Sequence, residues 1–230
     1  MADFAKKHNT TMYVLMLTAY KILLSKYNHQ TDIVVGSPFS NRDTPELEKI
    51  IGFFNETLVL RTEIDSSLSI ADTLERVKQT TLDALSHKNI PFDTLVNEIK
   101  PARQAGENPL FQTMFLYNPA SPKLDLGSGI IVEEEMLDLN ISKFELTLFV
   151  NELENDLELA FEHDHSIELP VIEAMAAHFV VLLYDLLEKP HLPISDLSIY
   201  SAEMLEDLSS KWNGDRAELP ECKNIHELIL

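Results

Sequence analysis

Asp32-Ile33-Val34-Val35-Gly36-Ser37-Pro38-Phe39-Ser40-Asn41-Arg42 and, after a short spacer, Ile51-Gly52-Phe53-Phe54-Asn55-Glu56-Thr57-Leu58-Val59-Leu60-Arg61 decide how this chain is read. The first stretch opens on branched apolar residues, which suit a pleated, half-buried strand. A strand is expected over Asp32 to Gly36, because Pro38 brings no N–H to a central ladder. Leu58 to Ile64 reads as a second strand on the same grounds. Two further segments stand out for their mixed apolar and polar character. They are His87-Lys88-Asn89-Ile90-Pro91-Phe92-Asp93 and Asn108-Pro109-Leu110-Phe111-Gln112.

Working outward, Thr10 or Thr11 can cap a helix that runs to about Asn28. Its side chains leave almost no polar face, so it is expected to lie sandwiched in a core, with Lys21 and Lys26 closing its most apolar stretch. Ser67 or Ser69 opens a second helix through about Ser86, with Ile70, Leu74, Val77, Thr81 and Leu85 spaced for one face. Pro91 suits the first turn of a short helix that Pro101 stops. Phe111 to Tyr117 is strand-like, and Asn118 to Gly129 reads as a loop. Ile130 to Met136, Phe144 to Glu152 and Leu157 to Glu162 follow as strands, the last two forming a hairpin around Asn155-Asp156. Pro170 begins a helix to about Leu187. After Pro193 the character changes, with Ser201 capping a short acidic helix. Strands and helices in this order imply an α/β layer, a mixed sheet with helices packed on it.

The chain has 230 residues, 45% of them hydrophobic, and a net charge of −20. That is enough to bury a core, and the charge opposes nucleic acid or an anionic membrane as partner. No apolar run is read as approaching the roughly 18–20 residues that span a bilayer, and the N-terminus lacks the order of a signal peptide. One cysteine, Cys222, precludes an internal disulfide framework and suits a reducing cytoplasm.

Catalytic patterns are sparse. No G-x-G-x-x-G or P-loop occurs, and Gly36-Ser37-Pro38 is not a nucleophile elbow. His163 and His165 would share one face of a strand, as metals can use, yet they sit at a strand end where polar residues belong anyway. They are read as a solvated turn. Cys222 has no local base and reads as a surface thiol. Among the eight histidines no two are adjacent.

Taken together and in this order, the four segments resemble the second half of the condensation domain of nonribosomal peptide synthetases. Ser142-Lys143-Phe144-Glu145-Leu146 is similar to that family's Ala-Lys-Phe-Asp-Leu strand start. Trp212-Asn213 and Ile225-His226-Glu227-Leu228 resemble its connector to an adenylation domain. The family's catalytic signature is two adjacent histidines, three residues, an aspartate and a glycine, and this chain does not contain it. The segment Gly52-Phe53-Phe54-Asn55-Glu56-Thr57-Leu58 departs from the family's Gly-Phe-Phe-Val-Asn-Thr-Leu, placing Glu56 where asparagine is customary.

The resemblance implies one half of a chloramphenicol acetyltransferase-like, two-lobe fold. Residues 1–200 would be the C-terminal lobe and 201–230 a linker toward an adenylation domain. In the intact enzyme a donor thioester meets the amine of an acceptor thioester, both on phosphopantetheine arms of upstream and downstream peptidyl carrier proteins. No cofactor or metal is expected on the lobe itself. The chain alone is expected to be inactive, with no catalytic residue of its own. Arg42, Phe54, Asn55, Glu56, His87, Asn108 and Gln112 are implied along the substrate tunnel or facing the N-terminal lobe. Arg42 would meet the signature aspartate there, and without it should be exposed or satisfied locally. His87 carries a structural, tunnel-side role. As parts that reach toward the other lobe, Gly36 to Arg42 and Asn118 to Gly129 are expected among the less constrained segments. Two other readings stay open: a noncatalytic platform for a carrier protein or partner enzyme, and a coenzyme A acyltransferase, for which no general base is visible.

Overall fold

Threonine and serine caps start the two helices that organise the core, and in the computed structural model both fall where the sequence places them. The structure describes residues 1–102, 107–120, 127, 141–154 and 156–212. They belong to two units, Met1–Ile199 and Tyr200–Leu230. A short helix α1 (Ala2–Lys7), not foreseen, precedes α2 (Met12–Asn28). Thr11 Oγ1 accepts from Val14 N at 3.2 Å, and His29 closes α2 in the left-handed region at φ 55°. Between them every residue from Val14 to Leu23 is buried, as a helix without a polar face requires.

The sheet has the order β2-β1-β3-β4-β5 among the described residues. Its strands are β1 (Asp32–Ser40), β2 (Asn55–Glu63), β3 (Thr113–Asn118), β4 (Leu146–Glu152) and β5 (Leu157–His163). β1–β2 and β4–β5 are antiparallel, whereas β1–β3 and β3–β4 are parallel. The mixed sheet read from the sequence is therefore present. So is the β4–β5 hairpin, closed by Leu153 N donating to Asp156 O at 2.9 Å. Alternate side chains Ile33, Val35, Leu58, Leu60, Phe115, Leu148 and Val150 share one apolar cluster with α2, α4 (Ile70–Ser86) and α6 (Leu169–Glu188). Burying each large apolar side chain there stabilises by about 1.5–3 kcal/mol before entropy is counted.

Three expectations are corrected. β1 does not end at Gly36: its ladder with β2 continues through Pro38↔Thr57 to Ser40↔Asn55. Pro38 is tolerated because the recorded pairing with β3 lies at Gly36↔Met114, two residues earlier, so one side of the strand asks no N–H of it. Gly36 to Ser40 is thus in a ladder rather than loosely held. Second, Lys21 does not close the apolar stretch of α2; it is fully buried within it. Third, α6 is 20 residues long and apolar enough by length and composition to cross a membrane. Its buried side chains Ile172, Met175, Phe179, Leu182, Leu183 and Leu186 pack in the core cluster, while Leu169, Val171, Val180 and Tyr184 are exposed.

Core packing also persists beyond Pro193. Ile194 and Leu197 are buried. Leu192 O and Pro190 O accept from Ile70 N and Ala71 N at 3.0 and 2.9 Å. Ser69 Oγ and Ser69 O accept from Asp72 N and Thr73 N at 3.1 and 3.0 Å, so the first turn of α4 leaves no orphan N–H. A short helix α3 (Pro45–Glu48) lies between β1 and β2, and α5 (Phe92–Ile99) follows Pro91, its N-cap, and ends at Lys100. In the second unit Ser201 caps α7 (Ala202–Trp212), accepting from Met204 N at 3.1 Å. The expected strand over 130–136, most of the loop 118–129 and Cys222 lie outside the described residues.

Candidate functional site

The sequence-chosen residues fall into two groups at opposite ends of β1. The first gathers where β1 ends and β2 begins. Asn41 N donates to Phe54 O at 2.7 Å, closing the connection between the two strands. Arg42 then folds back over that connection. Its Nη1 donates to Leu47 O and to Ile50 O (2.6 Å), and its Nη2 to Gly52 O at 3.0 Å. The guanidinium lies over the Phe54 ring. Arg42 is half-buried and satisfied within its own loop by carbonyls and a ring face, both of which suit a planar cation with forked donors.

Asn55 and Glu56 start β2 opposite Ser40 and Phe39, Asn55 exposed and Glu56 half-buried. Asp43 pairs with Lys88, which ties this loop to the turn between α4 and α5. His87 is the C-cap of α4 beside that tie, exposed, its Nδ1 at 2.8 Å from both Ser86 Oγ and Asp83 O. These contacts occupy the ring nitrogen locally. Ile51 and Phe53 are 101% and 88% exposed, so the loop presents apolar side chains outward around a half-buried cation.

The second group precedes β3. Asn108 Nδ2 donates to Lys143 O, and Gln112 Nε2 to Asn108 O, each at 3.0 Å. Glu145 N returns a bond to Gln112 O at 3.1 Å. Together these clamp the approach to β3 against the approach to β4. Gln112 also lines a cavity of about 430 Å³ with Asp32, Tyr27, Thr113 and Glu145. The Glu145 carboxyl is pushed up, first by burial and then by Asp164 and Glu107. Since Gly36 is level with Met114, Gln112 lies near the start of β1 and Arg42 beyond its end. One small ligand does not touch both.

Sequence reading missed the polar pins between α2 and the sheet. Tyr13 OH donates to Ser37 Oγ at 2.8 Å, and Ser37 Oγ to Phe115 O at 2.7 Å. Tyr20 OH bonds Thr113 Oγ1. Burial pushes both phenols up, so they stay protonated. Lys21 Nζ donates to Leu60 O at 2.7 Å and to Thr62 Oγ1 at 2.6 Å. The available signal was a lysine inside an otherwise continuous apolar run. His163 and His165 gather no metal set: among the described residues no cluster of three or more histidine, cysteine or acidic side chains could hold an ion. The arrangement around Arg42 can position and bind; it offers no paired base and nucleophile.

Comparison with known proteins agrees with this architecture. The condensation-domain family matches residues 1–209. Bacitracin synthase 3 of Bacillus licheniformis is 35% identical over 227 residues, which is 98% of this chain and 4% of that protein. The chain thus spans a small fraction of the curated relatives it matches. Among solved structures, a four-domain nonribosomal peptide synthetase bound to AMP and glycine superposes with TM-score 0.78 at 19% identity, covering 87% of this chain and 16% of that one. The X-domain from teicoplanin biosynthesis, in complex with OxyB, superposes with TM-score 0.76 at 22% identity, covering 87% and 45%. The fold is one half of the chloramphenicol acetyltransferase-like architecture. The chain belongs to the condensation-domain family of nonribosomal peptide synthetases.

Proposed function

We propose that this chain supplies the C-terminal lobe, residues 1–200, of a condensation domain that joins a donor and an acceptor thioester through a peptide bond, and that it does not catalyse alone. The observation that carries this reading is a family match over 1–209 in a chain without one adjacent histidine pair. Its partners are then the N-terminal lobe, the upstream and downstream peptidyl carrier proteins with their phosphopantetheine arms, and an adenylation domain reached through 201–230. Much of the rate in such a reaction comes from holding two tethered reactants in one geometry. Arg42 and the exposed Ile51 and Phe53 support a role for this loop in meeting the other lobe. Donor- and acceptor-loaded carrier proteins mixed with this chain are expected to give no dipeptidyl product. Adding a lobe that bears the histidine pair should restore it. Product from the chain alone would sink the proposal.

A noncatalytic platform is the second reading. It is favoured by the X-domain likeness, since that domain was solved in complex with OxyB. The reading frame upstream of Met1 discriminates: a comparable stretch carrying the histidine pair supports the lobe, and a natural start at Met1 supports the platform.

A further inference from the structure

Lys21 is the one lysine, arginine, histidine or acidic side chain that the core encloses completely, among the described residues, and the proposed chemistry does not use it. It projects from the middle of α2 and is 0% exposed. Its two recorded partners are Leu60 O and Thr62 Oγ1, both on β2, an edge strand of the sheet. An ammonium carries three donors, whereas an uncharged amine carries two. Two acceptors within 2.6–2.7 Å therefore satisfy the amine and leave the ammonium short by one. A buried charge without a paired counter-charge is costly, and a group in that position sheds its charge.

The surrounding charges do not supply the missing partner. Asp32, at the start of β1, is engaged by Arg61 of β2 at 2.8 Å and is largely exposed. Arg76 of α4 donates to Glu63 O at 3.0 Å, so α4 brings a second cation to this end of β2. Thr80 of α4 reaches Thr62 Oγ1 at 3.4 Å and adds no charge. From α6, His178 meets Tyr27 of α2 at 2.7 Å, and burial holds its pKa below the usual value.

We infer that Lys21 is a proton-gated tie: as an uncharged amine it fastens α2 to the edge strand β2, and taking up a proton loosens that strand. Burial brings its pKa from the usual 10.5 down to about 7, with Asp32 pulling weakly the other way. The sign follows directly. Between about 7 and 10.5 the unfolded chain binds one proton more than the folded chain, so stability rises with pH across that window. The folding equilibrium gains up to about tenfold per pH unit there, and below it the full penalty applies. β2 begins at Asn55, directly after the Phe54 that Arg42 covers, so the tie sets how firmly the strand behind that loop is held.

Carbon-13 labelling of the lysine ε-methylene tests this in the intact 230-residue chain. The Lys21 resonance, assigned through the backbone and absent from Lys21→Met, is expected to titrate near neutrality. A Lys21 resonance that titrates with the surface lysines above pH ~9.5 overturns the inference. Urea unfolding from pH 6 to 9 gives the second readout. The wild type should gain stability more steeply than Lys21→Met, and Lys21→Arg, which cannot shed its charge, should be the weakest at every pH. Equal slopes for wild type and Lys21→Met overturn it as well. Should neither variant fold, the wild-type resonance decides alone.

Discussion

The guanidinium of Arg42 sits 4.3 Å from the centre of the Phe54 ring and also grips the carbonyls of Ile50 and Gly52. One side chain thereby replaces the regular ladder that ends at Ser40↔Asn55. Arg42→Ala removes the ring contact and the donors to Leu47, Ile50 and Gly52 together. Because the site is half-exposed, the expected loss is about 1–2 kcal/mol in urea unfolding. Cleavage by a protease between Asp43 and Gly52 should quicken at the same time. Arg42→Lys should recover only part of this, since an ammonium cannot fork across carbonyls and stack. Unchanged proteolysis in Arg42→Ala would show that the loop is held by something else.

Ser37 is the second pin. It accepts from Tyr13 and donates to Phe115 O, joining α2, β1 and β3 through one hydroxyl. Ser37→Ala leaves a phenol with its partner gone, at a cost of about 1–3 kcal/mol. Tyr13→Phe removes the group that would be stranded. The double variant should therefore lose less than the sum of the single ones, which a double-mutant cycle reads directly. Strict additivity would mean the two hydroxyls act independently.

Gly36 has a steric reason to be glycine rather than a conformational one. A Cβ there would fall on the Phe111 ring, which is itself packed between Phe92 (centroids 5.6 Å apart) and Phe144 (5.5 Å). Gly36→Ala is expected to cost about 1–3 kcal/mol, as overpacking does. Adding Phe111→Leu should return part of that loss, because a smaller side chain yields the space. If Gly36→Ala alone is neutral, the aromatic cluster is softer than its packing indicates.

The elements that sequence made legible are those whose signal is local. Thr11 and Ser69 cap where expected because a side-chain oxygen beside the first N–H groups is a short-range arrangement. The β4–β5 hairpin is equally local. What stayed hidden depends on which strand lies beside which. Pro38 sits inside β1 because the pairing with β3 is recorded only at Gly36, a fact of tertiary topology. Lys21 looks like a boundary until β2 brings Leu60 O and Thr62 Oγ1 to it across 39 and 41 residues. The candidate site shows the same division. Motif order singled out Arg42 and Phe54, which do meet, and also Asn108 and Gln112, which serve the opposite end of the sheet. A motif records that residues matter together; it carries no distance between them.

Hydrogen exchange separates a firmly paired β1 from a loose one. Phe39 and Ser40 lie in the ladder with Glu56 and Asn55, and Asn41 N is bonded to Phe54 O. Asp43 to Glu46 are exposed, in a connection that begins a four-residue helix. Amides in a ladder exchange only when it opens, whereas an exposed connection exchanges nearly freely. Val35, Ser37 and Phe39, whose N–H groups face β2 as that of Asn41 does, are therefore expected to exchange roughly a hundredfold or more slowly than Asp43 and Glu46. Pro38 has no amide to report. Val14 to Leu23 should be slower still, because apolar side chains enclose that part of α2 on every side. Fast exchange at Ser37 and Phe39, matching Asp43, would mean that β1 stops near Gly36, and that its far end orders only against a partner.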